Sequence, residues 1–167
     1  LARESYFRMP PESDSRDAKL SVGIRALEFP RWFVCHGCKR LARASDHFEN
    51  KGGRYRHQCA KNKTSHAVPV RFVAACKHGH LTDYPWVSFV HGDRAEGACE
   101  APELYLREGA TGDLGKIRAE CRSCGASQPM NRANNVKYAC SGDRPWLGGR
   151  AVNDDCASDE VCAGLDG

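Results

Sequence analysis

The stretch that decides how this chain reads is "FPRWFVCHGCKRLAR", Phe29 to Arg43. An apolar, extended run meets two cysteines spaced Cys-x-x-Cys, Cys35 and Cys38, and resumes as a basic segment. That spacing folds into a knuckle that aims two thiolates at one ion. The same spacing recurs in "CRSCGAS", at Cys121 and Cys124. Ten cysteines in 167 residues leave two regimes, a secreted disulfide scaffold or an intracellular metal protein. The opening "LARESYFRMPPESDSRDAKL" lacks the apolar core of a secretory signal. The expectation is therefore zinc and a cytoplasmic setting. No βαβ pattern surrounds either pair, which argues against a thioredoxin-like redox role.

Composition fits a soluble globular chain, with 41% hydrophobic and 28% charged residues. No run approaches the ~18 apolar residues that a membrane span needs. The charge is uneven: residues 31–71 carry ten Lys/Arg against two acids, whereas residues 151–167 carry five acids and no base.

The expected fold is small and mixed but mainly β, with two zinc-ribbon-like modules, short helices and metal in place of a large core. Residues 1–30 read as an extended arm, 31–75 as a first, basic module, and 76–167 as a second module. "ENKGGRYRHQC" offers a Gly-Gly turn into a strand, and "HAVPVRFVAAC" another strand. A short helix is expected after His80, capped by Thr82 or Asp83, with Pro85 in its first turn. Trp86, Phe89 and Val90 would form its apolar face, and Gly92 would end it. "PELYLREGATGDLGKIRAECRSCG" reads as a hairpin, with Leu104 and Leu106 on one face and Ile117 and Ala119 on another. Ser127 is expected to cap a helical turn, before a last strand into Cys140.

Three sets of soft ligands stand out. Cys121, Cys124, Cys140 and Cys156 supply four thiolates, the number that tetrahedral zinc needs, with Cys162 a rival for the fourth place. Cys35, Cys38 and Cys59 need a fourth ligand. His66, seven residues on, is the choice, and His57, His36 and Cys76 are rivals. Cys76, His80 and Cys99 could hold a third ion; equally, His80 could bond a backbone carbonyl and Cys76 could pack as a small hydrophobe. Three ligands with an open position would suit a zinc hydrolase or nuclease, with Glu96 or Glu100 as base. The chain lacks His-Glu-x-x-His, His-x-Glu with Pro-Cys-x-x-Cys, a Gly-Lys-Ser/Thr phosphate loop and a Gly-x-Ser-x-Gly elbow. A binding protein is expected rather than an enzyme. Lys39, Arg40, Arg43, Arg54, Arg56, Lys61 and Lys63 could line a phosphate-binding face, with Trp32, Phe48 and Tyr55 to stack on bases. The same charges could equally be a solvated surface or a dock for an acidic protein.

"FPRWFVCHGCKRL", "VPVRFVAACKHGHLTDYPWVSFVH", "LYLRE", "CRSCGAS" and "CSGDRPWLGG" follow one another in order. With these phrases the chain resembles the DrmB family of bacterial DISARM anti-phage loci, from about Phe29 to Cys156. The resemblance implies the N-terminal portion of a much longer protein, an accessory subunit that works with a DrmA-like helicase on foreign DNA. It implies zinc ligands at the Cys-x-x-Cys pairs. Relatives carry a second Cys-x-x-Cys where this chain has "CAKNKTSH", Cys59 to His66, which directs attention to His66. Cys76 to Trp86 would then form the junction between the modules, with Trp86 and Phe89 packed between them.

Overall fold

The computed structural model describes residues 27–60, 63–76, 78–92, 99–109, 113–147, 149–150 and 161–163. Most of the expected arm lies outside these. The described chain is mainly β, with short helices between strands. None of its helices is long and apolar enough to cross a membrane.

Five strands form the first sheet: β1 (Trp32–Cys35), β2 (Leu41–Arg43), β3 (Glu49–Lys51), β4 (Arg54–Ala60) and β5 (Lys63–Pro69). Their order is β2-β1-β5-β4-β3 and every pairing is antiparallel. The Cys-x-x-Cys turn joins β1 to β2, and a four-residue helix, α1 (Ala44–His47), leads to β3. Gly52 and Gly53 close β3 onto β4 with φ of 60° and 79°, the left-handed pair that a two-residue hairpin turn requires.

The strand β1 is covered on both faces. Phe33 and Cys35 lie in a small cluster with Ala42, Ala44, Phe48 and Ala67, flanked by Tyr55. Trp32 and Val34, one residue out of phase, pack instead against the larger core.

That larger core belongs to the second half. A hairpin, β6 (Val73–Ala75) with β7 (Leu81–Asp83), precedes α2 (Trp86–His91). The boundary expected between residues 75 and 76 falls inside this hairpin. The second sheet has the order β10-β9-β8, from β8 (Leu104–Arg107), β9 (Arg118–Cys121) and β10 (Ser127–Pro129). The helix α2 packs on β9 and β10, and buries Trp86, Phe89 and Val90 against Leu104, Leu106, Ile117, Ala119 and Met130. Trp86 and Phe89 thus occupy the core as expected, and Leu41 of the first sheet joins them. Further on, β11 (Lys137–Ala139), β12 (Asp143–Arg144), β13 (Gly149–Arg150) and β14 (Val161–Ala163) pair as β11–β14 and β12–β13.

Three local expectations are corrected. Thr82 and Asp83 do not cap α2: they lie in β7, and the Asp83 carboxylate accepts from the Arg31 backbone N–H at 2.7 Å and from its Nε at 2.9 Å. Ser127 lies in β10, so the 3-10 turn at Met130–Asn135 starts after Pro129 without a side-chain cap. Leu104 and Leu106 do not face away from Ala119. Leu106 pairs with Ala119 and Leu104 with Cys121, and residues directly opposite in an antiparallel pair share one face.

Arg40 joins the two sheets. It bridges to Tyr105 of β8, and Lys39 O accepts from Leu106 N–H at 2.9 Å. Its guanidinium is buried, 3.0 Å from Glu103 and 3.4 Å from the Tyr105 hydroxyl. Burial works against this charge, but Tyr105 and Glu103 outweigh it and hold the pKa above the usual arginine value.

Trp86 is fully buried and Trp146 is 58% exposed, so the same truncation separates core from surface. Trp86→Ala should cost ~3–5 kcal/mol, and Trp146→Ala within ~0.5 kcal/mol. Urea unfolding followed by circular dichroism measures both; equal losses would show that the core is not centred on α2.

Candidate metal centres

Among the described residues, three groups of cysteine and histidine converge, each with its ligand atoms within 4.8 Å of one another: Cys35, Cys38, His57 and Cys59; His91, Cys99, Cys121 and Cys124; and Cys76, His80 and Cys140. All eight of these cysteines are in the reduced, thiol form.

Each group is seeded by a turn of one design. In "CHGCKR", Cys35 N–H donates to Arg40 O and Lys39 N–H to Cys35 O, both at 2.9 Å. In "CRSCGA", Cys121 N–H donates to Ala126 O and Gly125 N–H to Cys121 O, both at 2.8 Å. The fifth residue of each has a positive φ, 67° at Lys39 and 77° at Gly125. In "CKHGH" the turn is one residue shorter: Cys76 N–H reaches His80 O at 3.1 Å, Gly79 N–H reaches Cys76 O at 2.9 Å, and Gly79 has φ 82°. In the two Cys-x-x-Cys turns the second cysteine directly precedes the positive-φ residue, whereas in the shorter turn His80 directly follows it.

The first group is completed by β4. Its residues alternate, with Tyr55, His57 and Cys59 half-buried and Arg54, Arg56 and Gln58 exposed. His57 and Cys59 therefore meet the knuckle from one face of the sheet. His57 Nδ1 is 3.3 Å from Cys38 Sγ and 3.7 Å from Cys59 Sγ, and Cys35 Sγ is 3.3 Å from Cys59 Sγ. A tetrahedron with Zn–S bonds of ~2.3 Å and Zn–N of ~2.05 Å has edges of ~3.6–3.8 Å, close to these separations. His66, the residue favoured from spacing, is exposed. It pairs with Arg56 across the ladder, while His57 pairs with Ser65, so His66 lies on the opposite face and does not join the group. His36 is exposed as well, and Cys76 belongs to the third group. Gly37 is tightly enclosed: a Cβ there would collide with the Ser65 side chain and lie 3.2 Å from Cys59 Sγ.

Protonation shows what the thiols lack. Burial first, then hydrogen bonds with Cys35 and Cys59 and the charge of Cys35, push Cys38 up to about 11 against the opposing bond from the Arg40 backbone. Burial also raises Cys59, but hydrogen bonds from Cys35, Ser65 and Cys38 outweigh it and lower its pKa. Crowded thiols cannot all ionise together without a cation. Burial, then the charges of Arg40 and His47, lowers the His57 pKa, which keeps the imidazole in its neutral, ligating form.

The second group takes Cys121 and Cys124 from the knuckle after β9, Cys99 from the approach to β8, and His91 from the last turn of α2. His91 Nδ1–H donates to Val87 O at 2.8 Å, and among the described residues its buried Nε2 has no conventional hydrogen-bond partner. A backbone carbonyl holding one ring nitrogen while the other carries a lone pair is the usual posture of a metal-ligating histidine. Cys99 Sγ lies 3.7 Å from Cys121 Sγ, a tetrahedral edge. Burial acts to raise the Cys121 pKa, but the Cys124 backbone and side chain, His91 and the Glu103 backbone bring it to about 6. Burial, then the hydrogen bonds and charge of Cys121 and Cys124, pushes Cys99 up to about 11.

Cys140, expected with this second set, stands instead beside His80 in the third group, at 3.5 Å from its Nδ1. Cys99, expected in the third, stands in the second. Cys156 lies outside the described residues. His57 was legible in the alternation "RYRHQC". The signal for His91 was fainter, a histidine closing an apolar helix eight residues before Cys99.

Of the basic set, Lys39, Arg43, Arg54, Arg56 and Lys63 are exposed. Arg40 is not: it is buried between the sheets, and Lys61 lies outside the described residues. The expected stacking aromatics serve as packing. Phe48 is buried in the small cluster, the Tyr55 ring sits 4.5 Å from Phe33, and Trp32 faces the main core.

Fold and groups together define a small β protein organised around cysteine–histidine clusters that could hold metal ions. The chain belongs to the family described as a domain of unknown function, DUF8724, which matches residues 2–164. It is similar to the DISARM protein DrmB of Bacillus paralicheniformis, with 29% identity over 152 residues, 86% of this chain and 25% of that relative. The chain therefore spans about a quarter of that relative's length.

Removal of a true ligand from the first group should weaken metal binding there at least ~10-fold, the smaller loss typical of disturbing even a ligand's outer partners. His57→Ala should show this in a competitive zinc titration, and His66→Ala should match the parent chain. The reverse pattern would restore His66 to the group.

Proposed function

We propose that the chain is a zinc-stabilised binding module of a DISARM anti-phage defence complex, which docks on a helicase subunit and helps that complex engage DNA. The similarity to a DISARM protein DrmB carries the defence assignment. Zinc is favoured over other ions because the donors are thiolates and imidazoles at tetrahedral spacing, the set that zinc prefers. Bound zinc would replace the protons on the raised thiols and lock the knuckles to β4 and α2.

The DNA reading is supported by the outer face of the first sheet. Arg54 and Arg56 of β4 project to the side opposite His57 and Cys59, with Lys51 across from Arg54 and His66 across from Arg56. Glu49 shares that face but is tied to Lys51 at 3.1 Å. With the aromatics committed to packing, contact would be with phosphates and insensitive to base sequence.

Trp146 and Leu147, 58% and 66% exposed, favour a second reading, in which the module is a scaffold that docks on the helicase without touching DNA. Tryptophan is a frequent anchor at protein interfaces.

Fluorescence anisotropy with a DNA duplex separates the two. For DNA engagement, affinity should fall steeply with salt, and Arg54→Glu/Arg56→Glu should reduce the salt slope by about 2, roughly one per lost phosphate contact. Unchanged binding in the double variant would remove the basic face from the account. No DNA affinity, with a stable helicase complex, would establish the scaffold.

A further inference from the structure

The strand β4 does not hold its two ligands alike. Its ladder with β5 pairs His57 with Ser65 and Gln58 with Thr64, then Ala60 with Lys63, so Cys59 is an extra residue with no partner in the register. A bulge of this kind releases one residue from the ladder and re-aims its side chain. Here the released residue is the one whose sulfur meets Cys35, at 3.3 Å. The register that fixes His57 therefore does not fix Cys59, and its sulfur needs another restraint.

Ser65 is placed to supply it. It is half-buried between the exposed Thr64 and His66, and as the partner of His57 it lies on the same face of the sheet. Its side chain hydrogen-bonds Cys59. It also fills the space inside the knuckle: a Cβ at Gly37 would collide with Ser65 Oγ and lie 2.8 Å from Ser65 Cβ. Gly37 has no positive φ, so space and not backbone conformation calls for glycine there. The second knuckle has Ser123 at the matching position. Its hydroxyl donates to Ala101 O at 2.7 Å and accepts from the Glu103 N–H at 3.2 Å. In each knuckle a serine hydroxyl thus joins the turn to the segment that brings a distant cysteine.

We propose that Ser65 is a positioning residue of the first metal centre: its hydroxyl donates to the Cys59 sulfur, holds the bulged cysteine against the knuckle and tempers its reactivity. This rests on the zinc reading of that group. A thiolate that accepts a hydrogen bond is a weaker nucleophile and a weaker electron donor than a bare one, and partners of this kind orient metal ligands.

The full chain, loaded with zinc or with cobalt(II), tests this. Ser65→Ala removes only the hydroxyl. It should weaken zinc binding at the first group ~10-fold, speed alkylation of Cys59 by iodoacetamide relative to Cys35, as read by peptide mass spectrometry, and move the thiolate-to-cobalt band to lower energy. Ser65→Thr, which keeps the hydroxyl, should stay with the parent chain in all three readings, and guards against a folding failure in the alanine variant. A serine that only packs would leave the alkylation ratio and the band where they are, so no change in either for Ser65→Ala would overturn the proposal. Threonine behaving as alanine would overturn it too. A parent chain that binds no zinc would overturn the zinc reading, and this role with it.

Discussion

Much of this structure depends on the turn from Cys35 to Arg40. Its first half turns two sulfurs toward His57 and Cys59, and its second half sends Arg40 inward to Glu103 and Tyr105. One six-residue segment therefore fixes both the first cluster and the contact between sheets. A buried guanidinium is costly unless it is paired, so the second sheet must arrive with Glu103 and Tyr105 in register. Lys39 adopts a positive φ in that same turn, a conformation that glycine takes at the matching position of the second knuckle.

The strand β1 adds a second constraint. Because both its faces are covered, its alternation distributes residues between two cores: Phe33 and Cys35 to the small one, Trp32 and Val34 to the large one. The small core has six buried residues, little apolar area to offset chain entropy, and this is where metal would matter most. The larger core, centred on Trp86, has ordinary aromatic and aliphatic packing. The neighbouring cluster brings His91, at the end of α2, within 4.8 Å of the ligand atoms of the second knuckle.

The proposed roles divide along the same lines. Within β4 the inward residues face the first cluster, and the outward arginines would meet phosphate. A substitution on either face can thus be read against the other, since alternation keeps their side chains apart.

The sequence by itself determined the mainly β class, the two Cys-x-x-Cys knuckles, the Gly52–Gly53 turn and the short helix with Trp86 and Phe89 inward. All of these follow from spacing, periodicity or backbone freedom within a few residues. It also contained the alternation that places His57 with Cys59, which spacing counted from Cys59 alone passed over in favour of His66. Only the tertiary structure decided which knuckle takes which distant partner. Cys99 joins Cys121 because β8 pairs with β9, and Cys140 joins His80 because the chain after β11 returns to the β6–β7 turn. Arg40 read as a surface charge until the second sheet covered it. Ligand sets that close across long stretches of chain are fixed by strand register and packing, and those are properties of the whole fold.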